Sequence, residues 1–556
     1  MTIRFLLERA VEKSPTRIAL KYRRTNQWLT KTYQELELGV RQMAEAFHQI
    51  GMQANRGCAA VILENSPEWM ESYLALTGVG IAVVPIDPKL RADEIRYILN
   101  DAGVSLAIIQ AEHRALFETI SGDLPQLRNV VFVDAESPAA FPGSTITCHA
   151  YATLRNSVAE TKLDFYARHP VNPQDVASII YTSGTTGKPK GAMLTHNNFC
   201  SDAAGALEWM KNLATPSDDF LIVLPLFHSF SFLTNFVLPI FCMSGMFFVE
   251  SLRTVSDDIK VLRPTLIMAV PLLVEKLLDK ISAKLESSRF ASFLLKIGLG
   301  AIVGKKVMKN LGGRLRLFVV GGAPCPIHVL KGFMRLGVPV VEGYGLTECS
   351  PVVAVNPLKN PRVGTIGKPI ANIAVRIANP NENGVGELQV RGPIVMKGYY
   401  NNPEATREAF DGDWLKTGDL ATMGSDGFIS ICGRKKALIV NREGKNIYPE
   451  EVENTLARHP FISDIVVIGY TVGDVKGERV GAIVTPNMEA ITASNHGVEP
   501  SWPEIEKTIK TIIAEQSQSL AEYKHIRKLV IQREPLERTS IQKVRRVAYQ
   551  GKLDEP

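Results

Sequence analysis

The stretch from residue 181 to 191 concentrates groups that could bind phosphate. It reads Tyr-Thr-Ser-Gly-Thr-Thr-Gly-Lys-Pro-Lys-Gly and follows an apolar strand end at Ile179 and Ile180. Glycines allow tight turns that expose backbone N–H groups, while hydroxyls and lysines add donors and positive charge where a polyphosphate would lie. The spacing is not that of a Walker loop, which requires glycine at Thr182 and Ser or Thr at Pro189. These residues favour a phosphate-binding loop over a flexible surface loop.

Three later segments carry groups that suit a nucleotide. Gly321-Gly-Ala-Pro324 follows an apolar strand and offers a turn of small residues against which a planar base could lie. Val341-Glu-Gly-Tyr-Gly-Leu-Thr-Glu348 combines a ring, a hydroxyl and a carboxylate, and Mg²⁺ prefers oxygen ligands. Trp414-Leu-Lys-Thr-Gly-Asp-Leu420 places a carboxylate after a turn, where it could accept hydrogen bonds from ribose hydroxyls. The combination predicts a nucleotide site more strongly than any single segment does.

In this order the motifs resemble those of the adenylate-forming superfamily, which includes acyl-CoA synthetases, luciferases and peptide-synthetase adenylation domains. The resemblance covers nearly the whole chain and is closest to bacterial medium- and long-chain fatty acid:CoA ligases. It implies ATP and Mg²⁺ as cofactors and coenzyme A as a co-substrate. The ATP or AMP site that it implies consists of Thr182, Ser183, Gly184, Thr185, Thr186, Gly187, Lys188, Gly322, Ala323, Pro324, Glu342, Gly343, Tyr344, Gly345, Thr347, Asp419 and Arg434.

The resemblance also implies catalytic roles for Lys190, Thr347, Glu348 and Lys543. Thr347 would bond the α-phosphate and Glu348 would hold the metal ion. Lys543 lies in a basic C-terminal segment that resembles the family's final signature, although Gln542 stands where the family usually has glycine. This departure bears on the conformation of the loop more than on the role of the lysine.

The remaining functional residues are likewise implied by the resemblance. Lys436 falls at the family's hinge position, while Gly444 and Lys445 lie in a segment that would face coenzyme A. The segment around His228 and Phe230 resembles the family's acyl-pocket wall. Because it is rich in Phe and Leu and offers no fixed cation, we expect an aliphatic carboxylate and not an amino acid.

The reaction implied by the resemblance has two steps at one site. A fatty acid carboxylate attacks the α-phosphorus of ATP and expels pyrophosphate, and a thiol then attacks the acyl-adenylate and releases AMP. Two alternatives stay open. One is an acyl-[acyl carrier protein] ligase or fatty acyl-AMP ligase, and the other is a non-catalytic, membrane-associated acyl-binding protein.

The elements that must position these residues alternate between helical and strand patterns. Helices are predicted at 33–50, 67–76 and 90–102, with short apolar strands between and after them, which favours layered α/β structure with largely parallel sheets. A small β subdomain is expected near 362–391. After residue 434 a compact α+β pattern begins, with a first strand predicted at 437–440.

The predicted fold class is therefore α/β. A large N-terminal AMP-binding domain of layered α/β subdomains plus a small β subdomain spans 1–434, and a small mobile α+β C-terminal domain spans 435–556.

Composition narrows the choice of partners and compartment. The chain has 556 residues, of which 45% are hydrophobic, and this is ordinary for a globular protein. Its net charge of +6 is mild for this length and does not indicate a nucleic-acid-binding protein. Seven scattered cysteines and an N-terminus without a signal peptide predict a cytoplasmic protein. The oligomeric state is open, with a homodimer as one alternative.

Two segments raise the question of membrane contact. Residues 220–249 carry no formal charge when His228 is neutral, but Pro225, Asn235 and Pro239 interrupt them, so we predict a buried strand, loop, helix and strand. Residues 285–316 mix apolar and basic side chains, a pattern that fits either an inward-packed helix or peripheral contact with the inner face of the membrane.

Overall fold

The computed structural model describes residues 1–161, 163–182, 188–211, 214–286, 300–457, 459–473, 477–538 and 544–554. The chain divides into two compact units. The first comprises Met1–Val375 and Val390–Leu415, and the second comprises Arg376–Gln389 and Lys416–Pro556. The α/β class, with a large N-terminal and a smaller C-terminal part, is confirmed. The boundary between residues 434 and 435 stays a prediction.

A mostly parallel sheet forms one layer of the first unit. Its strands lie in the order Thr147–Ala150, Asn129–Phe132, Val104–Ile109, Cys58–Ile62, Ala82–Pro85, Val176–Thr182 and Lys190–Thr195. Every neighbouring pair is parallel except the last, which is antiparallel. Strands buried on both faces need continuous apolar runs, and Cys58–Ile62 is buried at every position.

A second large sheet of the same unit carries the later motifs. Its strands lie in the order Lys368–Pro369, Val352–Val355, Val340–Gly345, Leu317–Val320, Leu266–Ala269, Asp219–Ile222, Gly245–Phe248, Ile18–Arg24 and Gln27–Thr32. The pairs from Val340–Gly345 to Ile18–Arg24 are parallel, and those at both edges are antiparallel. Neighbouring parallel strands end at the same edge of a sheet, which brings the 321–324 and 342–348 motifs to one place.

Helices cover these sheets. Among the described residues of the first unit, the helices are Ile3–Lys13, Tyr33–Gln49, Pro67–Thr77, Ala92–Asp101, Arg114–Ile120, Tyr151–Asn156, Asp164–Arg168, His196–Trp209, Ser229–Phe232, Leu238–Cys242, Val255–Leu262, Pro271–Glu286, Gly300–Asn310, Ile327–Arg335 and Pro403–Ala409. The predicted 33–50 helix is confirmed, and it begins at a capping box in which Thr32 and Glu35 satisfy each other's backbone N–H. It is followed by Gly51, whose φ is +99°.

The uncharged stretch 220–249 is buried inside the first unit. It forms the end of strand Asp219–Ile222, helix Ser229–Phe232, a π-helical turn at Leu233–Val237, helix Leu238–Cys242 and strand Gly245–Phe248. The predicted buried strand, helix and strand are therefore confirmed, whereas the π turn was not anticipated. In the described parts of the chain, no helix is both long and apolar enough to cross a membrane. Of the basic segment 285–316, residues 287–299 lie outside the described residues.

The remaining strands form smaller sheets and pair mostly antiparallel. A small sheet runs in the order Ala374–Ala378, Gly386–Arg391, Trp414–Met423 and Phe410–Asp411, with Ile429–Arg434 paired antiparallel to Trp414–Met423. In the second unit, Ile462–Tyr470, Arg479–Pro486 and Lys528–Ile531 form a sheet, and helices Pro449–Leu456, Met488–Ser494 and Trp502–Ser517 accompany it. The strand predicted at 437–440 is limited to Ile439–Val440, because Lys435–Ala437 forms a 3₁₀ turn.

Candidate functional site

Tyr181 and Pro189, which lie in the chain before and after residues 183–187, are both hydrogen-bonded to the helix Ala92–Asp101. The Tyr181 hydroxyl donates to Asp101 Oδ2 at 2.5 Å, and the Tyr97 hydroxyl donates to the Pro189 carbonyl at 3.3 Å. Lys188 Nζ lies 5.8 Å from the centroid of the Tyr97 ring, within cation–π range. Burial and the neighbouring Asp101 carboxylate raise the pKa of Tyr181, so its hydroxyl keeps the proton that it donates.

Of the predicted phosphate-binding residues 182–188, only Thr182 and Lys188, which flank this segment, are among the described residues. Thr182 lies opposite Lys190 in the antiparallel strand pair, and its hydroxyl donates to the Lys190 carbonyl at 3.4 Å. Five of the predicted residues lie outside the described residues, namely Ser183, Gly184, Thr185, Thr186 and Gly187. The described residues therefore define the base of the predicted loop.

The Gly321–Pro324 turn and Glu342 meet at the ends of neighbouring parallel strands. The N–H of Cys325, which follows Pro324, donates to Glu342 Oε1 at 2.9 Å, and burial raises the pKa of Glu342 to about 7. Gly322 has a φ of +82°, a conformation that residues other than glycine rarely adopt. Ala323 lies between Gly322 and Pro324 in the same turn. The structure thus brings together the two predicted base-binding segments.

Strand Val340–Gly345 presents the predicted adenine-stacking residue. Tyr344 is half-buried and pairs with Ala354, and Gly343 pairs with Val355 on the neighbouring antiparallel strand. At Gly345 a side chain is excluded by close packing, since an added Cβ would lie 1.8 Å from the Pro351 carbonyl oxygen. Gly345 therefore allows a close approach of the backbone next to Tyr344, whereas an added Cβ at Gly343 would make only ordinary contacts, the nearest at 3.6 Å.

Thr347 and Glu348 follow this strand in a 3₁₀ turn, and each has a defined partner. The hydroxyls of Thr347 and Ser229 share a hydrogen bond of 2.9 Å. The Tyr399 hydroxyl donates to Glu348 Oε1 at 2.8 Å, and Lys190 Nζ lies 5.5 Å from the centroid of the same tyrosine ring. Lys190, Thr347 and Glu348, which were predicted from segments far apart in sequence, are therefore brought into one cluster.

Sequence reasoning missed Tyr399. It follows Gly398 and precedes Tyr400-Asn-Asn-Pro, a context that signals a turn and gives no local indication of Glu348. The link is tertiary, because an isolated antiparallel bridge joins Tyr399 to Ala192 on the strand that begins at Lys190. The only local signal in the sequence was the pair of tyrosines, Tyr399 and Tyr400, which stands between turn-forming residues.

The predicted acyl-pocket residues lie at the start of the helix Ser229–Phe232. His228 is the N-cap residue, and its Nδ1 accepts from the Phe230 N–H at 3.4 Å. Phe230 packs against Gly321, where an added Cβ would lie 3.0 Å from its ring. Through Phe230 and Ser229, this apolar wall contacts both the Gly321 turn and Thr347.

In the second unit, Asp419 and Arg434 form an ion pair in which the carboxylate is buried and the guanidinium is about half exposed. Arg434 Nε lies 2.8 Å from Asp419 Oδ1, and the exposed fractions of the two side chains are 46% and 5%. The Arg434 guanidinium also donates to the Thr417 carbonyl at 3.1 Å, while the Thr417 hydroxyl accepts from the Asp419 N–H. The turn at Gly418, with a φ of +72°, permits this arrangement.

The predicted hinge and coenzyme A residues lie in the same unit. Lys436 is in the 3₁₀ turn Lys435–Ala437, and Gly444 has a φ of +74° with open space where a side chain would be. Lys445 Nζ forms a 2.8 Å ion pair with Glu443 and lies 4.9 Å from the centroid of the Tyr523 ring. The backbone at Gly444 is therefore accessible to an extended ligand.

Lys543 itself lies outside the described residues, but the segments on either side of it are anchored. Arg538 and Val544 form an isolated antiparallel bridge, and Arg538 pairs with Asp464. Farther along, Arg546 Nη2 lies 2.7 Å from both carboxylate oxygens of Glu453. Chain on both sides of the predicted catalytic lysine is thereby fixed to the second unit.

A protein-only metal site is not found in the described residues, since no cluster of three or more His, Cys, Asp or Glu side chains could hold an ion there. Glu348 alone is the predicted Mg²⁺ ligand. One carboxylate fits the manner in which Mg²⁺ is usually bound beside nucleotides, with substrate phosphates and water as its other ligands. The donor chemistry of the cluster therefore suits a metal that arrives with ATP.

Family models match most of the chain. Residues 7–400 match the model described as AMP-binding enzyme, and residues 451–543 match the model described as AMP-binding enzyme C-terminal domain. These spans contain every predicted site residue except those at 419–445, which lie between them.

Curated relatives cover most of the chain as well. The long-chain-fatty-acid–CoA ligase FadD15 of Mycobacterium bovis is 31% identical over 490 residues, which cover 83% of this chain and 78% of the relative. The long-chain-fatty-acid–CoA ligase 6 of Homo sapiens is 32% identical over 493 residues, which cover 82% of this chain and 70% of the relative.

Solved structures share the fold over nearly the whole length. The anthranilate CoA ligase AuaEII in complex with anthranoyl-AMP has a TM-score of 0.78 at 22% identity and covers 99% of this chain and 96% of its own. ATP-bound MatB from Rhodopseudomonas palustris has a TM-score of 0.77 at 24% identity and covers 99% of both chains. At these identities the likeness establishes the fold.

Proposed function

This chain belongs to the AMP-binding enzyme family, and we propose that it is an acid–thiol ligase that activates a fatty acid with ATP and transfers the acyl group to coenzyme A. The products are acyl-CoA, AMP and pyrophosphate. Curated relatives at about 30% identity are named long-chain-fatty-acid–CoA ligases, which supports a fatty acid as the substrate.

The contact between the nucleotide motif and the uncharged helix carries the proposal. Ser229 and Phe230 begin that helix, and they contact Thr347 and Gly321, respectively. A carboxylate whose apolar chain lay along the helix would therefore have its charged end next to Thr347, the proposed α-phosphate contact. Such placement supplies the proximity that a reaction between two anions requires.

Adenylation in this site depends on positioning and charge neutralisation. Lys190 and the 182–188 segment would bind the β- and γ-phosphates, and Thr347 the α-phosphate. Asp419 would accept hydrogen bonds from the ribose hydroxyls, and Tyr344 would stack on adenine. A magnesium ion held by Glu348 would neutralise phosphate charge when bound. Lys543 would stabilise the charge that develops on the α-phosphate.

Thioester formation requires different residues at the same acyl carbonyl. We propose that the C-terminal domain rotates about Lys436 after adenylation, which removes Lys543 and presents the Gly444 loop to the pantetheine arm of coenzyme A. Gly444 is suited to this role because its backbone is exposed and nothing occupies the space beside its Cα. Lys445, which is also exposed, would contribute positive charge near the coenzyme A phosphates.

The function is tested by supplying purified protein with ATP, Mg²⁺, coenzyme A and fatty acids of graded chain length. We expect AMP and acyl-CoA to form in equal amounts, and only when a fatty acid is present. The Glu348→Gln variant serves as the matched control with reduced turnover. Failure to form AMP with any chain length would contradict the proposal.

The acceptor is tested in the same assay, because acyl carrier protein carries the same pantetheine thiol as coenzyme A. We propose coenzyme A, while transfer to acyl carrier protein or release of the adenylate are the alternatives. Thioester on coenzyme A, formed faster than on equimolar holo-acyl carrier protein, supports the proposal. Accumulation of acyl-AMP with both acceptors present would favour a fatty acyl-AMP ligase.

We also propose peripheral contact with an anionic membrane surface. From residue 300 to 341 the chain has seven Lys or Arg and no Asp or Glu. Ile302 is 53% exposed on helix Gly300–Asn310, beside the exposed Lys305, Lys306 and Lys309. An apolar side chain between lysines fits the interface of an anionic bilayer, where each lysine contributes about 1 kcal/mol.

Vesicle sedimentation tests this contact. We expect binding to vesicles that contain anionic phospholipid, weaker binding to neutral vesicles, and loss of binding at high salt. Lys305→Glu combined with Lys309→Glu should abolish it, whereas Lys507→Glu on the second unit should not. Equal binding of all three proteins would rule out this surface.

A further inference from the structure

Tyr399 contacts two oppositely charged residues, Lys190 and Glu348, to which the proposed function gives separate tasks. Its hydroxyl donates to Glu348 Oε1 at 2.8 Å, and its ring lies beside Lys190 Nζ, 5.5 Å from the centroid. We propose that Tyr399 is a positioning residue that holds the Glu348 carboxylate for Mg²⁺ and prevents Lys190 from pairing with that carboxylate. This inference rests on the proposed function for the roles of Lys190 and Glu348.

The backbone around Tyr399 is fixed from two sides. On one side it follows the strand Lys190–Thr195, because the Met193 N–H donates to the Gly398 carbonyl and the Tyr400 N–H donates to the Gly191 carbonyl. On the other side the Met396 N–H donates to the Glu348 carbonyl at 2.9 Å. The segment therefore connects the backbone of Glu348 to the strand that begins at Lys190.

The helix His196–Trp209 adds a third support to this segment. The Asn198 amide donates to the carbonyls of Pro393 and Val395 at 2.7 and 3.0 Å. The Ser350 hydroxyl, two residues after Glu348, donates to the Ile394 carbonyl at 2.7 Å. With its backbone held in this way, Tyr399 has its ring placed before any ligand binds.

The protonation state of Tyr399 suits a hydrogen-bond donor. Its hydroxyl is the donor in the hydrogen bond with Glu348, because an ionised carboxylate can only accept. A neutral phenol donates one hydrogen bond to the carboxylate and presents the negative face of its ring to the lysine. Both charged groups are thus satisfied without being paired with each other.

The separation matters because a direct lysine–carboxylate pair would compete with both ligands. Lys190 and Glu348 form no ion pair within 4 Å in the described structure, although the lysine lies over the ring of Tyr399 and the carboxylate accepts from its hydroxyl. If they paired, Glu348 would be less available to Mg²⁺ and Lys190 less available to phosphate. By contacting the lysine through its ring and the carboxylate through its hydroxyl, Tyr399 would keep each charge available to the bound nucleotide.

Three variants separate the two parts of the proposal. Tyr399→Phe removes the hydroxyl and keeps the ring, whereas Tyr399→Leu removes both. The measurement is calorimetric affinity for α,β-methylene-ATP across a range of Mg²⁺ concentrations, which requires no turnover. We expect the Mg²⁺ concentration at half-maximal nucleotide binding to rise about tenfold in Tyr399→Phe and further in Tyr399→Leu. Tyr400→Phe, the neighbouring matched control, should match the wild type.

The decisive test adds Lys190→Met to Tyr399→Leu. If the lysine pairs with Glu348 once the ring is lost, its removal frees the carboxylate, and the Mg²⁺ requirement should fall back toward the wild-type value. An unchanged or higher Mg²⁺ requirement in the double variant would overturn the proposal, as would a wild-type value in Tyr399→Phe. Wild-type protein that binds the analogue but forms no acyl-adenylate would instead refute the proposed function alone.

Discussion

Asp419 carries a charge that is almost completely removed from water. Its side chain is only 5% exposed, and Arg434 compensates the buried charge of the carboxylate. The Asp419 N–H donates to the Thr417 hydroxyl, which fixes the backbone at this position. A buried carboxylate held in one orientation can accept both hydroxyls of a ribose, since an ionised carboxylate is an acceptor only. The same rigidity makes its proposed contribution to nucleotide binding measurable.

We expect Asp419→Asn to raise the KM for ATP roughly 10- to 100-fold, the usual value of a lost charge-assisted hydrogen bond. The amide keeps the size of the carboxylate but loses one acceptor and the charge. The measurement is fatty-acid-dependent pyrophosphate release with ATP and with 2′-deoxy-ATP. The deoxy analogue should be discriminated against by the wild type and much less by the variant. Equal discrimination by both proteins would place the ribose elsewhere.

Glu342 gives the stability of the protein a specific dependence on pH. Burial raises its pKa in the folded protein to about 7, against an ordinary value of 4.5. Below pH 4.5 the group is protonated in both the folded and unfolded states. Between pH 4.5 and 7 the unfolded chain ionises first, so stability falls as the pH rises, by up to about 3 kcal/mol.

Glu342→Gln removes this penalty and keeps an oxygen that accepts from the Cys325 N–H. We expect the variant to gain stability relative to the wild type as the pH is raised from 5 to 8, which thermal unfolding at both values would measure. Glu35→Gln is the control that lacks this dependence, because hydrogen bonds from Thr32 lower the pKa of Glu35 below its ordinary value of 4.5, so that its carboxylate is ionised in both states from pH 5 to 8. A difference between Glu342→Gln and wild type that is the same at both pH values would refute the prediction.

At the scale of elements, the ion pairs that anchor the chain beyond Lys543 differ sharply in burial. Arg546 pairs with Glu453, and their side chains are 20% and 18% exposed. Its neighbour Arg545 pairs with Glu537, and there both side chains are about half exposed. Burial raises the pKa of Glu453, and Arg546 opposes that rise. Removing the cation from the buried pair leaves an uncompensated carboxylate.

We therefore expect Arg546→Met to destabilise the second unit by about 3 kcal/mol and Arg545→Met by less than about 1 kcal/mol. Hydrogen exchange of strand Ile462–Tyr470 is the suitable measurement, because it reports on this unit separately. Combining Arg546→Met with Glu453→Gln should recover part of the loss. Similar protection in the two single arginine variants would show that burial does not distinguish the pairs.

Sequence periodicity predicted single elements well and their contacts poorly. The helix Tyr33–Gln49 and the buried course of 220–249 follow from local spacing, caps and composition. The π turn at Leu233–Val237 has no such local signal. Tyr399 was missed because its contact with Glu348 joins residues 51 apart, which only the folded backbone brings together. The proposed nucleotide residues, by contrast, were predicted from motifs that keep a fixed order.

At the scale of the whole molecule, the proposed site residues are divided between two compact units. Lys190, Thr347 and Glu348 belong to the first unit, whereas Asp419 and Arg434 belong to the second. The division into units reflects which residues pack together and does not locate a rotation axis. The hinge at Lys436 therefore stays a prediction. Its functional consequence is nevertheless testable, because the two half-reactions would need different faces of the C-terminal domain.

We expect a reciprocal pair of defects. Lys543→Ala should abolish adenylation from fatty acid and ATP but preserve thioester formation from supplied acyl-adenylate. Gly444→Val should preserve adenylation and slow thioester formation, because a branched side chain is strained at a φ of +74° and blocks the exposed backbone. Single-turnover measurements of each step provide the test, with Lys552→Ala as a control that impairs neither. If each variant lost both steps equally, one fixed arrangement of the site would serve both reactions, and rotation about Lys436 would not be required.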